Sequence, residues 1–268
     1  MNKQISKKHH FIPKFYIKGF ADENNDVFLY YTEFKKVGKS AKKSSQIFYE
    51  EHFHTVKRFG QKSLLIEESY SELEGLFSQV VTQMKCWPDE ALQEIVKVEE
   101  FSKTLVLMLS VQYWRNPKNS QAAMDMSGRL VELYDKALPT NGEVTPFDRQ
   151  DMKYFQKKRK DASVQKFIQF LILPLITFKF VPEQLKGLKI VKFKDHYDFI
   201  CSDTPVMIDG FDSEFNFFGN VLYPLTKKYA LSNVKFDELS DLDDVVLSHA
   251  RKKIIASSKE RLSALPQA

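Results

Sequence analysis

From Ser63 to Lys85 the apolar residues Ile66, Tyr70, Leu73, Phe77, Val80, Val81 and Met84 recur at steps of three and four. No other feature so narrows what this chain can fold into, because that spacing makes one continuous apolar face only on a helix. On such a helix Glu67 and Glu74 stand two turns apart and share a side, while Glu68 and Glu72 face water. Trp87-Pro88 ends the helix. A second helix is expected from Glu99 to Tyr113, so apolar between Leu105 and Leu109 that it belongs at the centre of the fold. It stops at the proline of Gln112-Tyr113-Trp114-Arg115-Asn116-Pro117, which leaves Arg115 projecting near a helix end. Further helices are expected over Lys118 to Ala137, Phe147 to Lys160 and Val164 to Phe178, the last kinked or ended by Pro174. Pro139-Thr140-Asn141-Gly142 is expected to be a loop.

Strand-like stretches flank this helical middle. Val27 to Thr32 is β-branched and aromatic-rich, Gln46 to Tyr49 is extended, and Val221 to Leu225 pairs with Lys228 to Ser232. Leu188 to Phe193 and Phe199 to Cys201 read as a hairpin turned at Asp195-His196-Tyr197-Asp198, and a helix from Leu242 to Leu262 closes the chain. The expected class is α+β, a large helical middle between short N-terminal strands and a C-terminal antiparallel strand set. One domain is expected over 1–268, with an N-terminal motif and strands in 1–60, a helical core in 61–180, a hairpin region in 181–241 and a C-terminal helix in 242–268.

Composition removes several function classes. With 23 phenylalanines and only 9 glycines, the chain carries neither a P-loop nor a dinucleotide-binding glycine motif. Its longest apolar run, Phe167 to Phe180, is too short to span a bilayer, and the first residues lead into paired histidines instead of a signal core. Cys86 and Cys201 are far apart and lack metal-ligand spacing, so a reducing, cytoplasmic setting is expected. The net charge of +5 favours a polyanionic partner such as nucleic acid, although 40 basic residues are nearly matched by 35 acidic ones. The densest positive run, Lys157-Lys158-Arg159-Lys160, is a solvated face or a phosphate contact. The lysines between Lys35 and Ser45 read as a solvated loop.

Two polar stretches could carry chemistry. His9 and His10 are adjacent, so on an extended backbone they point to opposite sides and one of them at most faces a given site. No His-Glu-x-x-His motif is present, and a metal site is expected to need ligands assembled from distant segments. Asp203 follows a short apolar strand and precedes Thr204-Pro205, so its carboxylate either aims into a cleft or bonds local backbone. Ser202 has no nucleophile elbow around it. Arg115 is suited to clamping an anion; the alternative is a buried Arg–Glu pair that holds two helices in register.

These marks resemble domain-of-unknown-function family 4238, which is widespread and mostly bacterial. The resemblance rests on His10-Phe11-Ile12-Pro13 with Phe15-Tyr16-Ile17 and Phe20, on Glu67, Leu73-Glu74, Gln112 to Pro117, Ser202-Asp203-Thr204-Pro205-Val206 and Pro224-Leu225. Lys14 stands where the family pattern has glutamine and Phe11 where tyrosine is common. The resemblance implies no settled activity, but its marks select His10, Glu67, Glu74, Arg115 and Asp203, a polar set that looks like a composite catalytic site. The expected function is hydrolysis of an anionic, phosphodiester-type substrate, as by a nuclease used in defence against phage. In that reading His10 is the general acid or base and Asp203 its orienting partner or a metal ligand. Arg115 is the anion clamp, Glu67 or Glu74 a second carboxylate, and His9 falls to a supporting or solvent-facing place. A divalent metal is compatible with these donors without being demanded by them. The competing expectation is a non-enzymatic module that binds nucleic acid or protein through Lys157, Lys158, Arg159 and Lys160.

Overall fold

A computed structural model describes residues 7–58, 61–181, 187–192, 197–209, 220–234 and 239–267. The N-terminal part holds β1 (Lys8–His10), α1 (Lys14–Lys18), β2 (Asp26–Tyr31), β3 (Lys36–Val37), β4 (Lys42–Lys43), β5 (Tyr49–Glu51), β6 (Val56–Arg58) and β7 (Gln61–Ser63). The helical middle runs through α2 (Leu65–Met84), α3 (Asp89–Ile95), α4 (Glu99–Trp114), α5 (Ser120–Met126), α6 (Leu130–Asn141), α7 (Arg149–Lys158), α8 (Ala162–Phe167) and α9 (Leu173–Ile176). After it come β8 (Lys189–Lys192), β9 (Cys201–Ser202), β10 (Met207–Asp209), β11 (Asn220–Pro224), β12 (Tyr229–Ser232), α10 (Leu239–His249), β13 (Lys253–Ala256) and α11 (Lys259–Ser263). The class is α+β, and among the described residues no helix is long and apolar enough to cross a membrane.

The apolar spacing of α2 is realised as a buried stripe of Ile66, Tyr70, Phe77, Val80, Val81 and Met84, with Glu68 and Glu72 exposed. In α4 Leu105, Leu109 and Trp114 are fully buried, which makes it the central helix. Pro174 shapes the segment around it. Lacking an amide proton, proline cannot bond the carbonyl four residues back, and the chain passes through a π-helical turn at Ile168–Ile172 just before it. The carbonyl of Phe170, relieved of that duty, accepts the Tyr70 hydroxyl at 3.0 Å. Ser110 on α4 donates to the Pro174 carbonyl at 2.7 Å, so α2, α4 and the 162–176 segment are tied by side chains at the point where regular helix bonding lapses.

Two antiparallel sheets pack with these helices. The order β10-β11-β12-β8 includes the expected pairing of β11 with β12. The second sheet is built around β13, which pairs with β2 on one side and with β9 on the other, while β2 also pairs with β3 and β4. This corrects two expectations. The helix expected from Leu242 to Leu262 is interrupted, because the β-branched pair Ile254-Ile255 becomes a fully buried strand between α10 and α11. The hairpin expected between Leu188–Phe193 and Phe199–Cys201 does not form, since β8 joins β12 and β9 joins β13 in different sheets. Its Asp195-His196 corner lies outside the described residues. Within the helical middle, the single helix expected over Lys118 to Ala137 is divided at Ser127–Arg129, and α6 continues through Pro139 in place of the expected loop.

Candidate active site

The opening stretch is pinned from both sides. β1 pairs with β5, the Phe11 amide donates to the Phe48 carbonyl at 3.0 Å, and Pro13 caps α1. Tyr16 on α1 stacks on Tyr223 with ring centroids 5.6 Å apart and bonds the Pro224 carbonyl. Between β5 and β6 the chain turns sharply through His52, whose φ of 56° is a left-handed conformation that costs a non-glycine residue about 1 kcal/mol or more. That turn sends Phe53 and His54 inward.

His9 and His10 do point to different surroundings, but the inward one is His9. Its ring is fully buried, and its Nδ1 accepts the His54 amide at 3.1 Å and lies 3.3 Å from Glu67 Oε1. Of the two places expected for His9, supporting or solvent-facing, burial overturns the second. His10 pairs across the strand with Tyr49, its ring 5.6 Å from the tyrosine's, and among the described residues its buried Nε2 has no partner. Burial lowers the His10 pKa to about 4, helped by the Lys14 ammonium and the Arg115 guanidinium.

His54 is the residue that sequence reasoning misses. The signal was present: His52-Phe53-His54 is a His-x-His element, and with His9 and His10 it puts four of the chain's 6 histidines into two neighbouring segments. His54 is fully buried, donates from Nδ1 to Glu67 Oε1, and is enclosed by Phe170 and Tyr70 at ring distances of 4.8 and 5.1 Å. Burial drives its pKa down to about 3 despite the Glu67 bond that raises it, so the imidazole is neutral. For Glu67, burial pushes the carboxyl up. The bond from His54 and the nearby His54, His9 and Arg115 outweigh it and hold the group below its usual value. Its place in the first turn of α2 also favours the anion.

Arg115 closes the set. Its Nη1 lies 2.6 Å from Glu74 Oε1, its guanidinium carbon sits 4.4 Å from the centre of the Tyr70 ring, and its buried Nε has no partner among the described residues. The Arg–Glu pair weighed as a helix tie is thus present, linking the end of α4 to α2. Glu67 and Glu74 share one side of α2 as their spacing predicts, and both keep partial exposure, 27% and 28% of the side chain. Both carboxylates thus keep some contact with solvent, and the cavity beside Glu74, bounded by Tyr70, Gln112 and Arg115, measures about 10 Å³, room for one water.

Asp203 is placed differently from expectation. Its two carboxylate oxygens accept the backbone amides of Arg251 and Lys252 at 2.8 and 2.9 Å, where the chain passes from α10 into β13. Its carboxylate neither aims into a cleft nor bonds its own turn; it anchors a distant segment. Burial raises its pKa against the pull of those amides. Asp203 touches the site only through its carbonyl, which accepts Asn116 Nδ2 at 2.7 Å; one turn earlier on α4, Gln112 Nε2 bonds the Phe11 carbonyl at 3.0 Å. Ser202 is fully buried and bonded within its own turn, in keeping with its exclusion as a nucleophile. Lys157, Lys158, Arg159 and Lys160 stand at the C-terminal end of α7 and just beyond it, and none forms an ion pair with a described residue.

The family model for a protein of unknown function, DUF4238, matches residues 8–260. The chain belongs to this family. No curated protein and no solved structure matches it. The DUF4238 match spans every segment that supplies the site, from β1 through α2 and α4 to the Asp203 turn. What the arrangement can do chemically follows from its parts: a carboxylate held below its usual pKa between two imidazoles, beside a buried guanidinium whose Nε has no partner among the described residues.

Proposed function

We propose that this DUF4238 protein hydrolyses anionic, phosphodiester-type substrates, with nucleic acid the first candidate. The observation that carries the reading is Arg115, whose buried Nε lacks a partner among the described residues, together with Glu67, whose partly exposed carboxyl is held below its usual pKa in part by the Arg115 charge. In this reading Arg115 neutralises phosphate charge as it builds, and Glu74 fixes the guanidinium fork. Glu67 takes a proton from the attacking water as its oxygen bonds phosphorus. The ester P–O bond breaks, and the leaving oxygen takes back the proton that Glu67 accepted. His10, neutral and with no partner at Nε2 among the described residues, is a second group able to accept a proton; His9 and His54 position Glu67. Asp203 has no part in the reaction.

The test is hydrolysis of bis(p-nitrophenyl) phosphate and of single- and double-stranded DNA and RNA, with and without added divalent ions. Wild-type turnover is expected to fall about 100-fold in Arg115→Lys, which keeps the charge and loses the planar fork. Absence of cleavage on every substrate, or an undiminished Arg115→Lys, overturns the reading.

A second reading, binding without catalysis, is favoured by the surface of α7. Lys157, Lys158 and Lys160 are exposed, and Tyr154 is 56% exposed one turn before Lys157 and Lys158. Replacing Lys157, Lys158, Arg159 and Lys160 together by alanine is expected to weaken binding of a labelled oligonucleotide. The slope of log affinity against log salt should fall by about 0.7–0.9 for each phosphate that the protein no longer neutralises. Anisotropy titrations at several salt concentrations check this. An unchanged slope removes α7 from the interface.

A further inference from the structure

We propose that His9, His54 and Glu67 form a binding site for one divalent first-row transition-metal ion, of the zinc or manganese class. The three residues come from β1, from the turn before β6 and from the first turn of α2, yet their donor atoms all lie within 4.8 Å of one another. Ligands about 2.0–2.2 Å from a tetrahedral ion stand about 3.3 Å apart. His9 Nδ1 and Glu67 Oε1 are separated by 3.3 Å.

Two features of the site are hard to account for without a cation. Glu67 Oε1 and His9 Nδ1 face each other, although the nitrogen already accepts the His54 amide and so has no proton to offer the carboxylate. His54 Nε2 is buried with no hydrogen-bond partner among the described residues. When His54 Nδ1 donates to Glu67, Nε2 is left as a buried, unanswered lone pair. An ion on Nδ1 moves the proton to Nε2, and the rings of Tyr70 and Phe170, set at 88° and 80° to the imidazole, offer it aromatic contact. Coordination by His9 Nδ1 exchanges the amide proton for the ion.

The donor set selects the ion. Two imidazoles and one carboxylate suit zinc, manganese or iron, whereas calcium and magnesium demand mostly oxygen ligands. Arg115 does not repel the ion unopposed, because Glu74 pairs with it and leaves the charge of Glu67 available. Three protein ligands with Glu67 partly exposed leave an open coordination position towards solvent, the arrangement of a site that works on a ligand. The inference stands apart from the hydrolase reading, since an ion can bind here whatever the reaction.

The test is calorimetric titration of the chelator-treated full chain with zinc and with manganese chloride, followed by thermal melts. One ion per chain is expected, zinc tighter than manganese, with a higher melting midpoint in the loaded protein. Glu67→Gln should weaken zinc binding at least about 100-fold, because losing a ligand exceeds the loss from an outer-shell partner. Replacement of the exposed Cys86 by alanine should leave zinc affinity unchanged. Should Glu67→Gln melt early, imidazole nitrogen NMR of the wild type decides: zinc is expected to shift the His9 and His54 signals. Saturable binding that survives Glu67→Gln, binding abolished in Cys86→Ala, imidazole shifts confined to other histidines, or no binding below about 10 μM overturns the site. A wild type that binds zinc and cleaves nothing supports this inference and ends the hydrolase reading. Cleavage by a protein that binds no ion does the reverse.

Discussion

Glu67→Gln is expected to melt like the wild type and to lose roughly 100- to 10,000-fold in phosphodiester turnover. The two halves of that result have separate causes. Stability survives because the amide oxygen of glutamine can still accept from His54 Nδ1, and the side chain keeps 27% of its surface in water, so no buried charge is stranded. Activity fails because an amide neither accepts a proton at neutral pH nor matches a carboxylate as a ligand. A melting curve and a turnover assay on the same preparation suffice. Equal losses in both would mean that Glu67 serves the fold and not the chemistry.

Asp203→Ala is expected to do the opposite. Its carboxylate accepts two backbone amides at 2.8 and 2.9 Å in a largely buried place, and alanine leaves both unsatisfied. At about 1–3 kcal/mol for each stranded donor, the cost is roughly 2–6 kcal/mol. That lowers the melting midpoint by about 5–15 °C in a chain of this size. Turnover per folded molecule should be unchanged well below the new midpoint. Asp203→Asn keeps one acceptor and should fall between the two. If Asp203→Ala instead stops turnover while melting normally, the carboxylate belongs to the reaction and the placement of its bonds on Arg251 and Lys252 misleads.

Local signals explain what the sequence reveals and what it hides. The stripes of α2 and α4 and the pairing of β11 with β12 are written in spacing and β-branched content that act over a few residues. The choice between His9 and His10 is not, because adjacent residues on a strand face opposite ways and only the partner segment decides which face is inside. That partner is the turn carrying His54, brought in by a left-handed residue at His52 that no periodicity announces. Asp203 escapes a sequence reading for a related reason: its tie is to amides nearly fifty residues onward, whereas the turn chemistry of Ser202-Asp203-Thr204-Pro205 points only to its neighbours. β13 hides inside an apparent helix because four residues with charged flanks satisfy a helical pattern as well as a strand.

The position of β13 at the middle of its sheet bears on how the protein is made. Ile254 lies opposite Tyr30 on one side and Ser202 on the other, so β2 and β9 have no ladder between them until residues 253–256 exist. Synthesis runs from the amino end at about 5–20 residues per second, and pairings this distant in sequence close late. Until residues 251 and 252 exist, the histidine segment and α4 can be present while the Asp203 turn, whose carbonyl accepts Asn116, lacks the amides that its carboxylate binds. The central ladder of this sheet, and with it the tie on the Asp203 turn, therefore closes only after residues 251–256 have been made.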